Sequence, residues 1–228
     1  MTFLDLITSF PEVMDESKAE AMKRFFILLQ ETNAEMNLTR IDEEKEAVVK
    51  HFYDSLAVTR LLKVEGKVAD IGSGAGFPGI VLAVAFPGAR FSLVESNGKK
   101  CRFLHQAVEA LNLGNVSVVN ARAENLRDKE TFDIAIARAV SDLRVLSELI
   151  APLLKVGGHF VAMKGRNADE ELSGAKHALK EMNLQLEQED AFELPEEMGE
   201  RKNLLFAKTR KNSRKYPRDY ADIKRNPL

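Results

Sequence analysis

Between residues 67 and 182 the chain alternates short apolar runs with longer amphipathic stretches. VADI (68–71), FSLVE (91–95), VSVVN (116–120), FDIAIA (132–137) and HFVAMK (159–164) read as strands. The spans 79–86, 98–112, 122–127, 141–155 and 168–182 read as helices between them. Repeated strand–helix units of this kind predict a parallel sheet covered on both faces. The ending differs. LQLEQEDAFEL and KNLLFAKTR follow one another with no long helix between, which predicts two strands in an antiparallel edge hairpin. The expectation is an α/β fold with a mainly parallel seven-stranded sheet and an antiparallel edge strand. Ahead of it the pattern has the helical period only. Ala19, Met22, Phe25, Phe26 and Leu29 mark a helix over 16–33. Val48, Val49, Phe52, Leu56, Leu61 and Leu62 mark another over 43–62, with Asp42 as its N-cap. The chain thus divides into an N-terminal helical element (1–62), a sheet domain (63–210) and a tail (211–228).

The tail changes the picture of charge. A net charge of −2 hides ten Lys or Arg and two Asp in residues 201–228, which leaves residues 1–200 at −10. A basic tail on an acidic body suits a polyanionic partner, and equally a solvated, partly disordered tail. The longest apolar run, Ile80 to Phe86, falls far short of the ~20 residues a membrane span needs. MTFLDLITSF has neither the basic start nor the small-residue cleavage site of a secretory leader. One cysteine, Cys101, allows no intrachain disulfide and no cysteine-based metal site. These features fit a reducing cytoplasm. No long apolar surface demands a dimer, so a monomer is expected.

DIGSGAGFPG (70–79) carries the first candidate chemistry. Glycines between a strand and a helix let backbone approach a ligand closely. Gly74, Gly76 and Gly79 match a dinucleotide fingerprint, while Gly72, Gly74 and Gly76 behind Asp70 match an acid-x-G-x-G-x-G pattern. The sign of the charge separates the two. A carboxylate at the mouth repels a pyrophosphate and attracts the ammonium and sulfonium of S-adenosylmethionine. Ser73 and Phe77 belong to the same candidate loop. Glu95 ends the second strand, where it can accept ribose hydroxyls of either cofactor. Five parallel strands closed by a hairpin are the arrangement of class I, Rossmann-like methyltransferases, whereas dinucleotide folds more often add a sixth parallel strand. In that fold adenine lies beside the loop after the third strand, here NARAEN (120–125), so Ala123 and Glu124 become adenine candidates. The same residues also suit a plain helix start, with Asn120 as cap.

Arg138 ends the fourth strand, at the crevice where open α/β sheets bind ligands. The Asn/Asp-Pro-Pro-Tyr of amino-group methyltransferases is absent there, and Cys101 lies inside a helical run, as a core residue would. The chemistry therefore needs neither a covalent nucleophile nor a clamp for an exocyclic amine. Guanine N7 fits, because its lone pair is already free and catalysis reduces to positioning. Arg138 can reach the O6/N7 edge or a phosphate, or simply pair with a carboxylate.

At this point the chain resembles the small-subunit ribosomal RNA guanine-N7 methyltransferase family (RsmG, also GidB). The resemblance spans nearly the whole sequence. It rests on MNLTRI (36–41), KHFYDSLAV (50–58), VADIGSGAGFPGIVLA (68–83), NARAE (120–124), IARAV (136–140), AMKG (162–165) and KYPRDYADIKRNPL (215–228). It implies methyl transfer from S-adenosylmethionine to N7 of a single 16S rRNA guanine near the decoding centre, in rRNA or the small subunit. It also implies that Asn37, Thr39, His51, Asp54 and Ser55 border the pocket, with Asn37 and His51 in the catalytic set. Lys164 would face substrate beside Arg138, which is counted among the cofactor-binding residues as well. With no Trp and three Tyr, RNA binding is expected to lean on charge: the tail, Arg138, Lys164 and Arg122. Three other readings stay open: a methyltransferase for a small molecule or protein, a non-catalytic nucleotide-binding regulator and, more remotely, an oxidoreductase.

Overall fold

The structure, a computed structural model, describes residues 1–41, 43–127 and 129–228. Asp42, the expected cap of the second helix, lies outside them. The chain opens with α1 (Asp5–Ser9) and α2 (Glu16–Met36), the latter capped by the Asp15 carboxylate on the Lys18 N–H. The helical run expected over 43–62 is segmented. Short α3 (Glu44–Ala47) widens into a π-helical turn (Val48–Tyr53), returns to α4 (Asp54–Leu56) and ends in a 3-10 turn (Ala57–Arg60). π turns recur at functional sites, and this one carries His51.

The sheet units then follow as expected: β1 (Lys67–Ile71), α5 (Gly79–Ala85), β2 (Arg90–Glu95), α6 (Gly98–Ala110), β3 (Val116–Asn120) and β4 (Phe132–Arg138). After them come α7 (Leu143–Ile150), β5 (Leu154–Lys164), α8 (Ala168–Gly174), α9 (Lys176–Glu181), β6 (Leu184–Glu193), β7 (Glu200–Lys208) and α10 (Tyr220–Arg225). The seven strands lie in the order β3-β2-β1-β4-β5-β7-β6. The first five are parallel, and β7 runs antiparallel between β5 and β6. The order reverses between β1 and β4, so the crevice between their carboxyl ends is the switch point where such sheets take ligands.

Three helical expectations shorten for local reasons. The stretch 122–127 holds only a 3-10 turn, Ala123–Asn125. Asn120 does not cap it; its amide donates instead to the Glu95 carbonyl (3.1 Å) and to Cys101 Sγ (3.1 Å). The 141–155 helix starts later, capped by Asp142, and stops at a 3-10 turn containing Pro152. The 168–182 helix breaks at Ala175, after Gly174, a poor helix former.

Strand alternation sorts the core into two sides. Ala135, Ala137, Phe160 and Ala162 face α7 and α9. Ile134, Ile136, Val161 and Met163 face the other way, with Leu82, Ala83 and Val58. The N-terminal helices share that second side: Phe25 and Phe52 pack with Phe77 of the glycine loop at 5.2 and 5.3 Å between ring centroids. The tail is docked. Tyr216 and Ile223 are buried with α7 and α9, and Lys211 and Lys215 pair with Glu130 and Glu181. No helix of the described residues is long and apolar enough to cross a membrane.

Because Phe52 joins the helical element to the loop, Phe52→Ala should cost about 3–5 kcal/mol. Urea unfolding should show this as a lower midpoint within one cooperative transition. Two separate transitions would mean that the helices fold independently of the sheet.

Candidate active site

The glycine loop is held by its own backbone. Gly72 and Ser73 N–H both donate to the Val94 carbonyl (2.8 and 3.2 Å), and the Ser73 carbonyl accepts from Gly76 and Phe77 (2.7 and 3.2 Å). The Ser73 hydroxyl donates to the Asp70 carbonyl (3.0 Å). Gly74 has φ 57°, with no atom nearer than 3.8 Å to where a Cβ would sit. Its N–H donates to Glu95 Oε2 (3.0 Å), while Glu95 Oε1 accepts from Asn97 (2.8 Å). Each Glu95 oxygen keeps acceptor capacity towards the cleft.

Asp70 lies beneath the loop, 1% exposed. Its Oδ2 accepts the Gly79 N–H (3.0 Å), which fastens the start of α5 to the end of β1. A Cβ on Gly79 would fall 2.3 Å from Leu93 and 2.5 Å from Asp70 Oδ2, so this approach requires glycine. Its Oδ1 is buried without a partner among the described residues. Burial pushes the carboxyl up to about 6, against the pull of Ser73, the Gly79 N–H and the Arg138 charge. An unpartnered buried carboxylate oxygen is costly, and a cation placed beside it would relieve that cost.

Ala123 and Glu124 border the same cleft as Gly72, Glu95, Val140 and Tyr220. The cleft is narrow, about 120 Å³. Val140 rests on Gly72, where a Cβ would lie 2.6 Å from its methyl. A much larger concavity, about 920 Å³, opens at the other end of the strands, around Lys67, Arg90 and Val116. None of the residues singled out from the sequence lines it.

Arg138 leaves β4 on the side of the N-terminal helices. Its Nη1 donates to the Lys50 carbonyl (3.0 Å) and Asp54 Oδ2 (3.1 Å), and its Nη2 to His51 Nδ1 (3.4 Å). The guanidinium also lies over the Phe77 ring, 5.4 Å from its centroid. One Nη2 hydrogen and the Nε hydrogen keep no partner among the described residues. Asp54, 2% exposed, gives its other oxygen to Arg201 Nε (3.1 Å). His51 stacks on Phe77 (4.5 Å, 21°) and meets the Thr39 hydroxyl through Nε2 (3.0 Å). A guanidinium only donates, so Nδ1 is the acceptor and Nε2 carries the proton. Burial, then the Arg138 charge, depresses His51 to about 3. Ser55 turns inward along the helix and donates to the His51 carbonyl (2.5 Å).

Arg138 and Lys164 do not converge. Lys164 points to the α7–α8 side, where it donates to the Ser141 carbonyl (2.7 Å) and pairs with Glu171 (2.7 Å). Glu171 also accepts the Leu143 N–H (2.9 Å), so Lys164 braces the chain leaving β4. Asn37 is exposed at the left-handed end of α2. Thr39, two residues on, is pinned by Asn33 through both its backbone groups (2.8 and 2.9 Å). Cys101 is buried and its thiol is pushed up by burial, which keeps it unreactive. Among the described residues no cluster of acidic, His or Cys side chains could hold a metal ion.

The model of the family described as "GidB: rRNA small subunit methyltransferase G" matches residues 18–201. The chain belongs to this family. Relatives named ribosomal RNA small subunit methyltransferase G are 44% identical in Acholeplasma laidlawii, over 90% of each chain. In Carboxydothermus hydrogenoformans the identity is 40%, over 94% of each. Two solved structures share the fold at low identity. M. jannaschii TYW2 in complex with AdoMet has a TM-score of 0.56 and 15% identity, over 74% of this chain and 77% of that one. A SAM-dependent methyltransferase from Aquifex aeolicus has 0.58 and 12%, over 76% and 98%.

Within this GidB-type chain the structure adds residues that spacing alone does not single out. Arg201 reaches Asp54 from β7, 147 positions along the chain. Tyr220 reaches the cleft from the tail. The sequence signal for Arg201 is weak: it is one of three consecutive charged residues at the start of an apolar strand.

His51 should remain neutral through the ordinary pH range. The unfolded chain takes its proton near 6.5 and the folded one only near 3. Its contribution to stability is therefore complete above 6.5 and is lost as pH falls towards 3. An NMR titration should show no His51 Cε1 shift between pH 8 and about 5, and a midpoint in that window would contradict a His51 kept neutral by burial and the Arg138 charge.

Proposed function

We propose that this protein transfers a methyl group from S-adenosylmethionine to N7 of a single guanine in small-subunit ribosomal RNA, near the decoding centre. One arrangement carries the reading. A glycine loop lies between two carboxylates, Asp70 beneath and Glu95 beside it, and its Phe77 ring lies under Arg138, fixed at the end of β4. Family membership supplies the class of RNA.

The residues present fit the cofactor. Asp70 Oδ1 has no partner among the described residues, and a positively charged amino-acid portion would supply one. Glu95 keeps acceptor capacity for ribose hydroxyls, and Ala123 and Glu124 present the wall for an adenine edge. The cleft of about 120 Å³ is smaller than the ~300 Å³ or more of a small-molecule site. Val140, 38% exposed and resting on Gly72, is the side chain that has to swing out to admit a ligand.

When bound, S-adenosylmethionine supplies an electrophilic methyl group on its sulfonium. The protein's work is placement. Guanine N7 has a free lone pair, so no proton has to leave before attack. The site suits that demand: both nitrogens of His51 are engaged, and Asp54 is spent on two arginines. Arg138 keeps two N–H groups for the guanine edge or a flanking phosphate. Its other donors are tied to Lys50, His51 and Asp54, which fixes its plane. Lys164 holds the Ser141 carbonyl and so sets the path of the segment that carries Val140.

Purified small subunits and deproteinised rRNA, incubated with S-adenosylmethionine, should yield one borohydride–aniline cleavage site, mapped by reverse transcription to a guanine. Modification at an adenine or pyrimidine would overturn the reading. Arg138→Ala should lower kcat/KM by a factor on the order of 10²–10³ and leave cofactor affinity nearly intact by calorimetry.

Asp70 gives a pH test. Its carboxyl titrates near 6 in the fold, and a cation beside it binds best to the ionised form. Affinity for S-adenosylmethionine should fall as pH drops through about 6. Asp70→Asn should bind more weakly at pH 8 and lose that pH dependence.

A further inference from the structure

The family match ends at residue 201, and the basic tail lies beyond it. Electrostatics alone reads that tail as a loose arm for RNA. Its docking is different. Arg218 binds Glu148 of α7 three ways: through its backbone N–H (2.9 Å), Nε (2.8 Å) and Nη2 (2.5 Å). Glu148 is fully buried, and among the described residues its charge is matched by the Arg218 side chain of the tail. A buried carboxylate left alone is strongly destabilising, which makes this anchor firm. Ile223 adds an apolar anchor, fully buried in the same core.

Between these two anchors lies Tyr220, the first residue of α10. It packs against the core cluster that includes Ile71, Val94 and Leu149, and it lines the same cleft as Glu95 and Ala123. The Arg122 guanidinium sits over its ring, 5.2 Å from the centroid. Arg122 also borders the cleft and immediately precedes the adenine candidates Ala123 and Glu124. The cleft is thus lined by apolar side chains (Ile71, Val94, Val140, Leu149), by the Glu95 carboxylate and by the Tyr220 ring.

We infer that the C-terminal segment 216–228 is a strap that completes the cofactor cleft, with Tyr220 as the wall against the adenosine of S-adenosylmethionine. Arg218 is the positioning residue that holds the strap through Glu148. This rests on the proposed cofactor. It assigns the tail to the cofactor site, and it assigns Arg122 to bracing Tyr220.

The chain's tyrosines are Tyr53, Tyr216 and Tyr220, and it has no Trp, so tyrosine emission can be read directly. Calorimetry with S-adenosylmethionine on the wild-type full chain comes first; absence of binding there would overturn the cofactor reading itself. Given binding, Tyr220→Ala should raise Kd about tenfold, the scale of one lost base–aromatic contact. Its KM for cofactor should rise alike, with kcat and the KM for rRNA unchanged. Tyr220→Phe should keep the wild-type Kd while losing most of the tyrosine quenching that cofactor produces in the wild type. Because Tyr220 is only part-buried, apo thermal melts of both variants should stay near wild type. Unchanged cofactor affinity in Tyr220→Ala would overturn the strap and leave the cofactor reading standing. Weakened rRNA binding with unchanged cofactor affinity would overturn it in favour of an RNA arm.

Discussion

The buried carboxylate of Asp54 is the tie on which the active end of the molecule depends. It comes from the N-terminal helical run, yet its two oxygens go to Arg138 of β4 and Arg201 of β7. One side chain thereby joins three parts of the chain that are far apart in sequence. Removing it would strand two arginines in a poorly solvated place, a far larger penalty than losing a surface pair. The aromatic cluster of Phe25, Phe52 and Phe77 supplies the apolar half of the same junction. Together they turn the helices from an appendage into one wall of the crevice above the sheet.

The glycine loop depends on a second constraint, directed inward. Asp70 ties the end of β1 to the start of α5 through Gly79 while leaving one oxygen unsatisfied. The proposed cationic ligand would supply that oxygen with a partner. The loop's shape and, in the proposed function, its preference for a cationic ligand thus rest on one residue. Val140 and the segment braced by Lys164 cover the loop from the opposite side. Access and positioning are therefore set by the chain just beyond Arg138.

Much of this was legible in the residues. The short apolar runs VADI, FSLVE and FDIAIA, each followed by a helical stretch, identified the parallel strands because a strand covered on both faces is buried almost throughout. Asp70, Gly74 and Glu95 could be picked out because a strand–loop–helix turn brings neighbours in sequence together in space. Helix ends were less legible. Asn120 looks like a cap, yet it spends its amide on Glu95 and Cys101. The π turn at Val48–Tyr53 carries no local signature in an otherwise regular apolar pattern.

By itself, the sequence determined the α/β layering, the loop and the sign of the charge beneath it, since these follow from local periodicity and near neighbours. Only the tertiary structure decided what lies across from the loop. It set Arg138 and Lys164 on opposite faces, because facing alternates along each strand and each side chain found a different partner. It brought Arg201 to Asp54 and Tyr220 to the cleft across long stretches of chain. It also converted a basic tail into a docked segment, because a buried glutamate on α7 offers Arg218 a stronger partner than water does. Such pairings depend on which surfaces the fold brings together, and charge or spacing along the chain does not encode them.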